Sequence, residues 1–173
     1  GGAGGGGMHL ERTRFRRGAS ILPSLFTTGN LFLGFWSIVK TLDGRFAEAA
    51  PLVGAAVILD MLDGRIARLT NTQSEFGAQY DSLADAVSFG VAPALLAYCW
   101  ALQVVPRAGW PAAFLFLACG VLRLARFNVQ RHVVDARYFV GLPIPAGAAQ
   151  IAAIVFVFPE PPSSRLASVG MLA

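Results

Sequence analysis

Residues 21–42, ILPSLFTTGNLFLGFWSIVKTL, are an apolar run of twenty-two residues with no acidic side chain and one lysine near its end. As an α-helix this run rises about 33 Å, enough to cross the hydrocarbon core of a bilayer. No other feature constrains the fold as strongly. In lipid the backbone must satisfy its own hydrogen bonds, and a helix does so within one segment. The rest of the chain repeats the theme. Hydrophobic residues make up 55% of it and charged residues 14%, against about 25% charged in a soluble domain. Mean hydropathy is +0.57. The reading is a single-domain integral membrane protein, all-α, built as a polytopic transmembrane helix bundle.

The segments follow from apolar runs and their punctuation. Residues 1–7, GGAGGGG, read as a linker, an expression scar or upstream translation, and lie outside the fold. Residues 8–20 form a basic amphipathic arm suited to an anionic membrane surface. The first span covers 21–42, with Pro23 in its first turn and Asn30 mid-span in need of a polar partner. DGR at 43–45 is a turn. The second span runs over 47–69 and the connection TNTQS over 70–74. A third helix covers 75–102, where Pro93 bends the helix or is accommodated by its neighbours. The fourth spans 112–130, the fifth 143–158, and 165–173 read as the start of a sixth that is cut short. The transmembrane domain is 21–173.

Charge orients the layout. Arg12, Arg14, Arg16, Arg17, Arg65, Arg68, Arg123, Arg126, Arg131 and Arg137 fall on one side; Lys40, Arg45, Arg107 and Arg165 fall on the other. The positive-inside bias puts the N-terminus in the cytoplasm. A formal charge of +4 also suits anionic headgroups or phosphorylated substrates, and no long basic face for nucleic acid is present. Cys99 and Cys119 sit in apolar runs without partners at metal-ligand spacing and read as buried hydrophobes with no disulfide. His9 and His132 are too isolated to suggest zinc.

Four aspartates break the apolar pattern in DMLDGRIARLTNTQSEFGAQYDSLADAVSFG, residues 60–90. At about 100° per residue, Asp63, Gly64, Ala67 and Arg68 all fall within about 80° of Asp60 around the second helix. On the third helix Gly77, Asp81 and Asp85 step four residues at a time, about 40° apart. Two antiparallel neighbours would turn these stripes toward each other. Four carboxylates in one membrane cavity repel, and protons or divalent cations relieve the repulsion. An all-oxygen donor set selects hard ions, Mg²⁺ or Mn²⁺ with Ca²⁺ as an option, and a pair of ions is familiar in phosphoryl chemistry. Gly64, Ala67 and Gly77 leave room for a flat base or a pyrophosphate, and Arg68 offers a fork for phosphate. Small residues also serve plain helix packing. A channel or cation carrier uses intramembrane carboxylates too, but leaves the glycines and the arginine unexplained.

Asp60, Asp63, Gly64, Ala67, Arg68, Gly77, Asp81 and Asp85 stand at the spacing D-x2-DG-x2-AR-x8-G-x3-D-x3-D. This resembles, at every position, the signature of the CDP-alcohol phosphatidyltransferases. The resemblance implies a core of six helices, a homodimer, and transfer of a phosphatidyl group from a CDP-lipid to an alcohol with release of CMP. Carried over by position, Asp60, Asp63 and Asp81 ligate Mg²⁺ or Mn²⁺, two ions per site. Asp85 is ligand and general base, or base alone. Gly64, Ala67, Arg68 and Gly77 line the CDP-diacylglycerol site. The segments LPSLFTTGNLFLGF, YDSLADAVSFGVAPA, LRLARFNV and GLPIPAGAA resemble the bacterial phosphatidylserine synthase branch, which implies L-serine as acceptor. Glycerol-3-phosphate and inositol phosphate are the alternatives, and physics alone does not separate them. A non-catalytic membrane scaffold or cation carrier is the remote one. Arg123, Arg126 and Asn128 are candidates for the acceptor carboxylate or the donor phosphate. Cytoplasmic anchoring is the alternative for the two arginines, and helix capping for the asparagine. All motif residues come from consecutive helices, so each protomer is expected to hold a complete site.

Overall fold

The computed structural model describes residues 6–70, 74–105, 107–130 and 144–162. Helix α1 runs Gly6–Leu42 and α2 runs Phe46–Thr70. The basic stretch is therefore continuous with the first span, and Pro23 lies inside α1 rather than in its first turn. The turn between α1 and α2 follows from Gly44, whose φ is 74°. This left-handed conformation lets Gly44 N–H donate to the Thr41 carbonyl at 3.0 Å and Arg45 N–H to the Lys40 carbonyl at 2.9 Å. The carbonyls left open at the end of α1 are thus closed off. Glu48 clamps the same corner, 2.7 Å from both Lys40 and Arg45. Lys40 also lies over the Trp36 ring.

The third run, Glu75–Trp100, is not one regular helix. It comprises α3 (Glu75–Asp85), a π-helical turn (Ala86–Val91) and α4 (Ala92–Trp100). Pro93 supplies a physical reason. It has no N–H to offer the Phe89 carbonyl four residues back. The wider turn shifts the pattern, and Ala92 N–H reaches back five residues to the Val87 carbonyl. The helix begins with a cap that the sequence reading passed over. Ser74 is extended, and its hydroxyl accepts the Gly77 N–H at 3.0 Å.

A short 3-10 turn (Leu102–Val104) leads toward α5 (Gly109–Gln130), and α6 covers Ile144–Val157. The connection at 131–142 and the sixth-helix segment at 165–173 lie outside the described residues. The core is alanine-rich. Ala49, Ala50, Val53 and Ala56 of α2 meet Phe89, Ala92 and Leu96, with Ala148, Ala152 and Val155 of α6. Small side chains let the helix axes approach closely, as membrane bundles require. Among the described residues two helices are long and apolar enough to cross a membrane, Glu75–Trp100 and Gly109–Gln130. The apolar window of α5 is not buried inside the molecule at all, and Phe114, Leu115 and Leu122 face outward from it. That is the pattern of a lipid-facing helix, not of a soluble core. The molecule is an all-α membrane protein.

Candidate active site

The tight turn at Gly44 returns α2 alongside α1, and α1 also packs against α3. Packed against this same helix, α2 and α3 bring their aspartates together. One carboxylate oxygen from each of Asp60, Asp81 and Asp85 lies within 4.8 Å of the others. Asp60 comes from α2 and the other two from α3, as the two facing stripes require. Asp63 stands one turn along α2 and outside this group of three. It is 7% exposed, and its Oδ2 accepts a hydrogen bond from the Thr27 hydroxyl at 3.2 Å.

The other motif positions divide. A side chain at Gly64 would meet nothing within 4 Å, whereas one at Gly77 would press the Ser74 hydroxyl at 3.0 Å. Gly64 thus fronts open space beside the carboxylates, and Gly77 also serves the cap of α3. Ala67 is buried. Arg68 is exposed in the last turn of α2, where a cation is favoured by the helix dipole. On α5, Arg123 is half-buried and Arg126 exposed. Asn128 has a partner: its side-chain amide donates to the Ser82 hydroxyl at 2.7 Å. Ser82 in turn donates to the Ala78 carbonyl. Asn128 therefore ties the end of α5 to the aspartate helix.

Sequence reasoning undervalued α1. Asn30, flagged only as needing a partner, donates from Nδ2 to Asp85 Oδ1 at 3.3 Å. Its main-chain carbonyl accepts the Ser88 hydroxyl at 2.9 Å. Thr28 and Tyr80 share a hydrogen bond of 2.8 Å between their hydroxyls, and Phe76 stacks on Tyr80. The signal was present in the sequence as TTGN, three polar side chains within four residues of an otherwise apolar run.

Two unit charges about 4 Å apart repel by roughly 4 kcal/mol at an effective dielectric constant near 20. Three carboxylates this close need protons or a counter-charge. The donor set fits a divalent cation: it is all oxygen, and Asp63 Oδ1 is buried without a hydrogen-bond partner. The geometry makes this an acidic cluster that could hold a divalent metal.

A cluster of this kind, drawn from two helices of a membrane protein, is a candidate metal centre. The chain belongs to the CDP-alcohol phosphatidyltransferase family, whose pattern matches residues 20–173. It is similar to proteins named CDP-diacylglycerol–serine O-phosphatidyltransferase from three bacteria. With that of Helicobacter pylori (strain 26695) it shares 46% identity over 137 residues, 79% of this chain and 58% of that protein. With that of Mycobacterium tuberculosis (strain H37Rv) it shares 42% over 153 residues, 84% of this chain and 53% of the other. With that of Bacillus subtilis (strain 168) it shares 35% over 137 residues, 79% and 76%. The chain thus spans little more than half the length of the first two.

Proposed function

We propose that this protein transfers the phosphatidyl group of CDP-diacylglycerol to L-serine, releasing CMP and forming phosphatidylserine. The observation that carries this reading is the convergence of Asp60, Asp81 and Asp85 within 4.8 Å in a chain with every position of the family signature. The serine acceptor is supported by the names of the relatives. Asp60, Asp63, Asp81 and Asp85 would hold Mg²⁺ or Mn²⁺, two ions per site. When bound, the metal neutralises the diphosphate and makes its phosphorus easier to attack.

The chain's own residues do the rest. The open face at Gly64, with Ala67, Arg68 and Gly77, receives the CDP end of the donor. Asp85 accepts the proton of the serine hydroxyl as its oxygen attacks the phosphorus bearing diacylglycerol. The new bond is serine oxygen to phosphorus. The bond that breaks joins that phosphorus to the oxygen of CMP, which leaves with its phosphate. Arg123 and Arg126, on the helix that Asn128 ties to α3, are candidates for the acceptor carboxylate.

The distribution of arginines supports a cytoplasmic N-terminus and a site toward the cytoplasmic leaflet of a prokaryotic membrane. The proposal includes a transmembrane domain from residue 21 onward, with a basic arm at 8–20 before it. It also includes a homodimer in which each protomer carries a complete site, surrounded by membrane lipids.

The test is CMP release by purified protein in detergent with CDP-diacylglycerol and Mg²⁺ or Mn²⁺. Serine, glycerol-3-phosphate, inositol phosphate and no acceptor run in parallel. Release with serine alone establishes the reading. Release with another acceptor keeps the chemistry and replaces the substrate. Silence with all of them overturns the enzymatic reading.

A further inference from the structure

The structure assigns to α1 a role that the eight-residue signature does not contain: Asn30 and Thr27 are positioning residues for the carboxylates of Asp85 and Asp63. The inference rests on the proposed function for its kinetic consequence, but not for its metal-binding consequence. Thr27 and Asn30 are three residues apart and share one face of α1. Thr27 reaches Asp63 on α2 and Asn30 reaches Asp85 on α3, so one helix face grips both carboxylate stripes. Each takes a single oxygen, Oδ2 of Asp63 and Oδ1 of Asp85. A hydrogen bond to one oxygen restricts how each carboxylate can turn.

Asn30 is itself held from two directions. Ser88, three residues beyond Asp85, donates to the Asn30 main-chain carbonyl, while the Asn30 side chain donates to Asp85. One stretch of chain thus holds the residue by its backbone and by its amide. One further turn along α1, Gly34 lies against the main chain of Ser88, so the two segments have no slack between them. The orientation of the amide is informative. Asn30 is 1% exposed, and its Oδ1 is buried without a hydrogen-bond partner. A buried amide serving only to join helices satisfies both of its ends. This one leaves its oxygen unsatisfied and aims its N–H at a carboxylate. The carboxylate dictates the orientation, as with groups that orient metal ligands from behind.

Mn²⁺ binding to the purified full chain, read by electron paramagnetic resonance without substrate, tests this directly. Asn30→Leu removes the amide at similar volume and is expected to weaken Mn²⁺ about 10–100-fold. Thr27→Val is expected to weaken it about tenfold, and Thr27→Ser, which keeps the hydroxyl, restores it. In CMP release, kcat falls with Asn30→Leu while KM for CDP-diacylglycerol stays within about twofold, because the donor is held elsewhere. A purely structural role lowers the unfolding temperature but leaves Mn²⁺ affinity and turnover per folded site at the native level; that result overturns the inference. If Asn30→Leu does not fold, the Thr27 pair decides, and equal affinity in Val and Ser variants overturns it. A native chain that binds Mn²⁺ but releases no CMP sinks the proposed function, while the metal measurements still decide here. A native chain that binds no Mn²⁺ overturns the inference.

Discussion

Gly34→Ala is the most economical test of how the site is held. A Cβ built at residue 34 would overlap the Ser88 hydroxyl and lie 2.8 Å from Ser88 Cα and 2.9 Å from its Cβ. The hydroxyl can rotate away, but the main chain of the π-helical turn cannot. The two segments must separate by several tenths of an ångström. Overpacking of this kind costs about 1–3 kcal/mol. Losing the Ser88 hydrogen bond to the Asn30 carbonyl costs about 1 kcal/mol more. For a chain of this length each kcal/mol moves the midpoint by about 2–4 °C, so a drop of roughly 5–15 °C is expected. The assay is thermal unfolding in detergent beside CMP release measured well below both midpoints. Turnover per folded site should also fall, because Asn30 moves with the separated segment. Gly54→Ala is the control, since a side chain there meets nothing within 4 Å. It should gain about 0.5–1 kcal/mol of helix propensity. A Gly34→Ala protein that melts within a degree of the native chain, with full turnover, would refute the packing on which the argument stands.

The remaining predictions concern the chemistry. Asp85→Asn should reduce CMP release by at least about a hundredfold, as loss of a general base does, while CDP-diacylglycerol still binds; turnover near the native level would remove Asp85 from that role. Gly64→Ala should not lower the unfolding midpoint, and should raise it slightly through helix propensity as at Gly54, because the added methyl meets nothing within 4 Å, yet it should raise KM for CDP-diacylglycerol. An unaltered KM would take Gly64 out of the donor site. Chelation by EDTA should stop CMP release, with recovery on adding Mg²⁺ or Mn²⁺ but not Na⁺; turnover that survives exhaustive chelation would contradict the metal reading.

The spans and the aspartate stripes were legible because both are periodic. Apolar runs of about twenty residues mark helices, and a step of four keeps Asp81 and Asp85 on one face. The meeting of Asp60 with Asp81 and Asp85 followed once α2 and α3 were taken as antiparallel neighbours. Three things were not legible. The π-helical turn at Ala86–Val91 leaves no periodic mark, since Pro93 announces a break but not its form. Hydrogen bonds from Thr27 and Asn30 depend on how α1 lies against α2 and α3, and sequence spacing does not encode the rotation of one helix against another. Asn128 read as a ligand, with a helix cap as the alternative. Its bond to Ser82, forty-six residues away, is a tertiary fact with no local signature.

The position of the π-helical turn follows from two demands on one helix. Asp81 and Asp85 must face Asp60, while Phe89, Ala92 and Leu96 must face the apolar core shared with α2 and α6. In a regular α-helix, residues four apart share a face, so Phe89 would follow Asp85 toward the carboxylates. Inserting a wider turn directly after Asp85 changes the phase at the boundary between these two tasks. The polar half then keeps its register with the aspartate of α2, and the apolar half packs independently. The same turn presents Ser88 to the backbone of Asn30, which locks the phase change against α1. Pro93 makes the arrangement hard to undo, because a regular helix through this point would leave the Phe89 carbonyl without its donor. The break in the helix, the proline that forces it and the serine that fixes it thus form one device, and it sets where the Asp85 carboxylate points.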